Sequence, residues 1–436
     1  METQIERTLR ARHIPGLPEQ FVLPHYGGYS IANLAPTIAK ILGVEMEGAA
    51  PPFPAHWWRD LGADTRCVLL IILDATGYLQ LARYLAKERS FFSELADAGL
   101  LLPITSVFPS TTVSALTTIW TGRTPLGHGF LGTKLLLPEQ GVVANMLKMA
   151  PAAYPRAGKL EDWGWDAERF VTAPSLGAQL SAAGVGTVAH TRLSFIGSSL
   201  TQVFLRGMHE LRGYVGLSDL WLNLRRTLTE RRTDQRLFVD AYWGGIDNIG
   251  HIYGAEGAYL PSALRHLARS LEEDFVAQLP REMREGTLLI VTADHGQIAT
   301  PPERVVRLPD HPALWQTLLL PPAGESRAAY LYARPGQKDA LRAYVTEQLA
   351  DRFVLLDTEQ ALDAGLFGPL DDLTPDLRVR LGDMVLIAKD DSRLSMRKRE
   401  KEGDIALRGH HGSLTPEEML VPLLMVRLDR LREDKR

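Results

Sequence analysis

From residue 66 onward the chain alternates short, uninterrupted apolar runs with longer stretches of mixed character. VLLIILD is continuously apolar and too short for a helix, which is how a parallel strand covered on both faces reads. GYLQLARYLAKERSFFSELADAG reads as a helix ending at Gly99, and LLLPITSVFP as the next strand. TTVSALTTIWTG reads as a helix opened by hydroxyl residues and closed by Gly122. AAGVGTVAHT, QRLFVDAYW and GTLLIVTAD are three further strands, with SDLWLNLRRTLTERR and PSALRHLARSLEEDFVAQLPREMREG among the helical stretches between them. Strands alternating with helices predict an α/β fold: a mostly parallel central sheet with helices on both faces.

The flanks have a different texture. Residues 1–65 are rich in Pro and Gly, with one helical stretch, SIANLAPTIAKILG, and an aromatic cluster, Phe53, His56, Trp57 and Trp58, expected in the core. After residue 300 a Pro-rich segment leads into AAYLYARPGQKDALRAYVTEQLADRFVLLDTEQALDAG, which reads strand, helix, strand, helix. This predicts a small α+β insertion or cap over 301–404, with the catalytic core formed by 1–300 and 405–436 and MLVPLLMVRL as a late strand. The charge-rich SRLSMRKREKEGD is expected to be a solvated loop.

Composition narrows the class. The 436 residues, 45% hydrophobic and 23% charged, bury a core without staples. A formal net charge of −4 argues against general nucleic-acid binding. The single cysteine, Cys67, excludes an intrachain disulfide or a thiolate metal cluster and is expected to be a buried thiol. No apolar leader opens the sequence and no run is long enough to span a bilayer, so the expectation is a cytoplasmic protein that does not engage membranes.

The candidate chemistry lies where the apolar runs end. Asp74 closes CVLLIILD, and Asp294 and His295 close TLLIVTAD; Asp247 and His251 fall in GGIDNIGHIYG, and His411 in RGHHGSLTPEE. Asp247 and His251, four residues apart, share one side of a helical turn, and Gly296 lets the chain turn so that Asp294 and His295 both reach one ion. Carboxylates and imidazoles fixed by strand ends suit a two-metal hydrolytic site, and without thiolates they suit zinc, manganese or a mixed pair. Thr112 sits near a helix start that favours phosphate, with Ser110 and Thr111 competing for its role. A hydroxyl bound to a metal there becomes a nucleophile without a histidine base.

These segments resemble the alkaline phosphatase superfamily, most closely its type I phosphodiesterase/nucleotide pyrophosphatase branch. The resemblance rests on LLIILDATG, PSTTVSALTTIWTGRTPLGHG, DNIGHIYG, ADHGQ and HHGSLTPEEMLVPL, covering residues 66–300 and 405–425. Nine residues before Thr121 of the Thr-Gly pair is Thr112, the family's nucleophile position. The resemblance implies two zinc ions, one held by Asp247, His251 and His411, the other by Asp74, Thr112, Asp294 and His295. It implies attack by Thr112 on the phosphorus of a small phosphorylated substrate, with a covalent threonine intermediate. Two positions depart from the pattern. Thr133 stands where relatives carry an asparagine that contacts a phosphate oxygen, and Val113 where many carry an aromatic residue. Both weaken the case for a nucleotide more than the case for the chemistry. Lys134 and His128 are further candidates for phosphate contact, and Lys134, Arg123 and Arg192 could supply the charge that a monoester or phosphonate needs. Cofactor-independent phosphoglycerate mutases share the metal core but insert a large domain after the nucleophile, whereas about 135 residues separate Thr112 from Asp247 here. Retention of all seven positions argues against a non-catalytic sensor.

Overall fold

The computed structural model describes residues 4–154, 158–232, 234–397 and 406–431. Seven strands form the central sheet: Cys67–Leu73 (β1), Leu100–Thr105 (β2), Gly186–Arg192 (β3), Glu210–Tyr214 (β4), Leu237–Trp243 (β5), Thr287–Thr292 (β6) and Leu420–Arg427 (β7). Their order is β2-β7-β6-β1-β5-β3-β4, and β7 alone runs antiparallel to its neighbours. All seven residues of β1 are buried, and their side chains divide by the two-residue period of a strand. Val68, Leu70 and Ile72 join the apolar core on one face; Cys67, Leu69, Ile71 and Leu73 join the core on the other. A run without polar alternation is therefore what a central strand covered by helices on both faces requires.

The expected α/β fold with a mostly parallel central sheet is present, with local differences. The helix read over 77–99 is two helices, Tyr78–Lys87 and Phe91–Ala98, because Ser90 starts a new one through a reciprocal cap with Ser93. The stretch after Tyr259 stays α-helical to Ser270, continues as a π-helical turn over Leu271–Phe275, and breaks before Pro280. In the flank, Phe53 and Trp57 are buried as expected, whereas Trp58 is half-buried and His56 exposed. Cys67 is buried.

A second, all-antiparallel sheet follows the order 353–357, 384–388, 328–331, 323–324, 134–137, 142–145, 150–151. The segment 301–404 thus shares its sheet with 134–151, and the expected domain boundary does not coincide with a sheet boundary. Of the charge-rich run, Arg393–Ser395 is a strand parallel to Val305–Arg307, and 398–404 lies outside the described residues. Among the described residues no helix is long and apolar enough to cross a membrane.

Candidate active site

The site forms at the C-terminal edge of the central sheet, where parallel strands release their loops together. Asp74 follows β1, Asp294 follows its neighbour β6, and Asp247 lies in the helix Gly245–Tyr253 after β5, on the other side of β1. His411 comes from the loop that enters antiparallel β7 at the same edge. Two tight backbone approaches need glycine: a Cβ on Gly296 would stand 1.9 Å from the Glu417 carbonyl oxygen, and one on Gly409 2.4 Å from that of Gly250.

Two groups of potential ligands result: Asp247, His251 and His411, and Asp74, Asp294 and His295. In the first, His251 Nε2 is 3.2 Å and His411 Nε2 3.9 Å from Asp247 Oδ1. In the second, His295 Nε2 is 3.3 Å from Asp294 Oδ2 and 3.6 Å from Asp74 Oδ1. The groups adjoin, for the His295 and His411 rings stack with centroids 3.8 Å apart. Each histidine places Nδ1 against a backbone carbonyl and turns Nε2 to the centre: His251 at Gly409, His295 at Gly296, His411 at Ser110. Such bonds fix ring orientation and leave Nε2 as the ligand atom.

The charge balance of the clusters calls for a cation. Asp74 and Asp294 are buried, and among the described residues neither they nor Asp247 pairs with a lysine or arginine. Asp74 Oδ1 and Asp294 Oδ2 are buried without a hydrogen-bond partner, facing His295. Orphaned buried carboxylate oxygens are costly unless something cationic meets them. Burial, then the charges of Asp294 and Asp247, push the Asp74 carboxyl up. Burial, then His295 and His251, hold His411 well below the usual imidazole range. For His251, burial is outweighed by its bond to Asp247 and that residue's charge, and its pKa is raised. These residues fit divalent metal ions by donor type, burial and the atoms left unpartnered.

Of the three competing hydroxyls, one faces the clusters. Thr112 opens the helix Thr112–Thr121, and its Oγ1 lies 3.1 Å from His295 Nε2. Ser110 Oγ is committed to the Ser413 carbonyl at 2.7 Å, and Thr111 Oγ1 meets Thr133 Oγ1 at 3.3 Å. Asp74 and Thr112 line a cavity of about 360 Å³ walled by Phe195, Tyr214, Tyr242 and Trp243, with Arg192 and Asn248 also on its lining. Lys134 and Arg123 do not line it. His128 is buried, bonded to Thr118 Oγ1 at 2.9 Å, and pushed down to about 3 by burial, so it is a neutral core residue. His410 bonds Thr300 Oγ1 at 2.6 Å and faces a different cavity from His411.

Several contributors were not foreseen. Tyr242 donates its hydroxyl to Asp74 Oδ2, Gln297 Nε2 donates to Asp247 Oδ1 at 3.1 Å, and Ser106 Oγ donates to the Asp294 carbonyl at 2.5 Å. Glu325, half-buried, accepts from the Thr133 N–H. Only Gln297 carried a sequence signal, through its place in DHGQ; the others are recognised from their partners alone.

The fold is alkaline phosphatase-like. The family model for type I phosphodiesterase / nucleotide pyrophosphatase matches residues 68–414, and the chain belongs to that family. It is accordingly a hydrolase of phosphoester bonds in a metal-dependent family. No curated protein matches the chain. Among solved structures it is similar to murine ectonucleotide pyrophosphatase/phosphodiesterase 5, at 16% identity and a TM-score of 0.60, covering 82% of this chain and 87% of that one. The human counterpart aligns at 17% identity with a TM-score of 0.59, over 82% and 87% of the two chains. Phosphonoacetate hydrolase from Sinorhizobium meliloti 1021, solved with phosphonoformate, aligns at 18% identity and a TM-score of 0.61, covering 83% and 90%. At such identities the likeness speaks to the fold alone.

Proposed function

We propose that the chain hydrolyses a phosphodiester or nucleotide pyrophosphate, with Thr112 as the nucleophile and a divalent ion at each ligand cluster. Asp247, His251 and His411 would hold one ion; Asp74, Asp294 and His295, with Thr112, the other. Zinc fits the donor set first and manganese second. Divalent ions there supply positive charge for the attacking and leaving oxygens and favour the ionised hydroxyl. Thr112 Oγ1 attacks phosphorus, an O–P bond forms, and the bond to the leaving oxygen breaks. Water then attacks the phosphothreonine, releases product and restores the hydroxyl. The N-terminus of the Thr112–Thr121 helix favours the phosphoryl anion, and Tyr242 and Gln297 hold Asp74 and Asp247 in place. The observation that carries this reading is Thr112 Oγ1 at hydrogen-bond distance from His295 Nε2, beside two carboxylate oxygens without partners.

A second reading, monoester or phosphonate hydrolysis, draws on Arg192, the cation on the lining of the Thr112 cavity, which could meet the extra charge of a dianion. The experiment compares hydrolysis of bis-p-nitrophenyl phosphate and p-nitrophenyl phosphate by protein stripped of metal and refilled with Zn²⁺ or Mn²⁺. The expected result is metal-dependent preference for the diester, with a loss on the order of 10³-fold or more in Thr112→Ala while bound metal is retained. Preference for the monoester selects the second reading, and full activity of Thr112→Ala removes the nucleophile assignment.

A further inference from the structure

The start of the Thr112–Thr121 helix carries three hydroxyls in a row, those of Ser110, Thr111 and Thr112, and none of them caps it. Thr111 is the N-cap residue and has the extended backbone of one, yet its side chain makes no cap bond. Its N–H bonds the Pro109 carbonyl at 2.9 Å, and the Ala115 N–H bonds the Thr111 carbonyl at 2.9 Å. Among the described residues the N–H groups of Thr112, Val113 and Ser114 are therefore the free donors of this helix end. Ser110 Oγ is drawn to the Ser413 carbonyl and Thr112 Oγ1 to His295, while Thr111 Oγ1 turns to Thr133 Oγ1 at 3.3 Å.

Glu325 accounts for that turn. Its Oε1 accepts the Thr133 N–H at 2.5 Å, and the hydroxyls of Thr133 and Thr111 oppose the rise that burial gives its carboxyl. A carboxylate is the strongest acceptor these two hydroxyls have nearby, so it sets their direction. Glu325 is itself held from several sides. Its N–H closes a tight turn on the Ala328 carbonyl at 2.8 Å, and Arg327 in that turn is locked to Glu418. Its Cβ fills the space beside Gly412, where a Cβ would stand 2.9 Å away. Gly412 N in turn donates to Ser110 Oγ at 3.2 Å, so the loop of His411 and the hydroxyl run share one anchorage.

We propose that Glu325 is a positioning residue for the reaction: through Thr133 it holds the Thr111 hydroxyl away from the helix end, which leaves the N–H groups of Thr112, Val113 and Ser114 to the phosphoryl oxygens. Released, the Thr111 hydroxyl would accept the Ser114 N–H, as a threonine at an N-cap ordinarily does, and compete with the phosphoryl group. This rests on the reading of Thr112 as nucleophile, and it gives the 301–404 segment a part in the reacting site.

Initial rates with bis-p-nitrophenyl phosphate and titration calorimetry with inorganic phosphate, both on the metal-loaded full chain, test it. In Glu325→Ala, kcat/KM and phosphate affinity should both fall by roughly five- to tenfold, the equilibrium equivalent of one capping bond. Glu325→Gln keeps an acceptor oxygen for the Thr133 N–H and should hold both within about threefold of native. Glu325→Ala/Thr111→Val should recover to within about the same factor, because valine keeps the shape and extended backbone of threonine without a hydroxyl to cap the helix. Thr133→Val leaves Glu325 in place and removes the hydroxyl that holds Thr111; it should show the same loss and the same rescue by Thr111→Val, and it carries the test where Glu325→Ala does not fold. A role in stability alone would leave the double variants no better than the single ones, and that outcome, or unchanged values in Glu325→Ala, overturns the proposal. Glu325→Gln as impaired as Glu325→Ala would make charge the cause and overturns it too. Where the native protein turns over no diester, but phosphate affinity falls in Glu325→Ala and returns in the double variant, the Thr112 reading fails and the role of Glu325 stands.

Discussion

Asp240 shows how one residue behind the site sets a pH dependence. It lies on β5, in register with Leu70 of β1, and it is buried. Its Oδ2 accepts from Trp120 Nε1 at 3.2 Å, near the end of the helix that Thr112 opens, while Oδ1 has no partner. Burial, only partly opposed by the Trp120 bond, pushes this carboxyl up to about 7. The folded protein therefore holds a proton that the unfolded chain has lost. From about pH 4 to about pH 7 the unfolded state ionises first, so this residue lowers stability as pH rises, with the full penalty present above about 7. Asp240→Asn should remove the penalty and keep the indole bond. Urea unfolding of the two proteins should give near-equal stability at pH 4 and a more stable variant at pH 8, by roughly 4 kcal/mol. A variant equally or less stable at pH 8 would mean that Asp240 is ionised in the fold.

The elements that hold His411 are joined to the second sheet by a buried ion pair. Arg327, just before the strand Ala328–Leu331, meets Glu418 through two bonds of 2.7 Å, and both side chains are fully buried. Glu418 also accepts from Ser413 N at 2.9 Å and Thr415 Oγ1 at 2.6 Å, while Arg327 donates to the carbonyls of Asp390 and Ser392. The pair thus fastens the loop after His411 to the 301–404 segment. Removing one partner strands a buried charge, so Arg327→Met or Glu418→Gln should each cost roughly 3–5 kcal/mol in urea unfolding. The double variant Arg327→Met/Glu418→Gln should cost clearly less than the sum; additivity would show that the charges act independently. The apolar runs ending in Asp74 and Asp294, and the helix from Thr112 to Gly122, are local signals that burial on both faces makes readable. Glu210–Tyr214 escaped because it is the sheet's edge strand, exposed at Glu210 and Leu211 and without a continuous apolar run. The strands of 134–151 are two to four residues each, too short for periodicity to register, and they join the rest of their sheet only where Lys134 pairs with Gly324, distant in sequence. Tyr242 and Glu325 act through partners far away along the chain, which spacing does not reveal.

At the scale of the whole molecule, the two clusters tie together elements that meet only when the fold is complete. Their residues come from the ends of β1 and β6, the helix after β5, and the loop before β7, so an ion bound there bridges residues from Asp74 to His411. Ions that bind this arrangement and not the unfolded chain stabilise the fold by mass action, on the order of 1.4 kcal/mol per tenfold rise in free metal for each site above its dissociation constant. Without them Asp74, Asp294 and Asp247 stand together with no lysine or arginine among the described residues paired to them. Calorimetry of chelated protein titrated with Zn²⁺ should therefore show the unfolding temperature climbing with the logarithm of metal concentration. Thr112→Ala should climb almost in parallel, since it keeps all six carboxylate and imidazole ligands. Asp74→Asn should lose about half the slope, because one cluster of two is broken. A temperature independent of metal would separate the fold's stability from the clusters and remove the physical ground for placing ions there. Parallel curves for native protein and Thr112→Ala, with activity lost only in the variant, would assign the metals to the scaffold and the hydroxyl to the reaction.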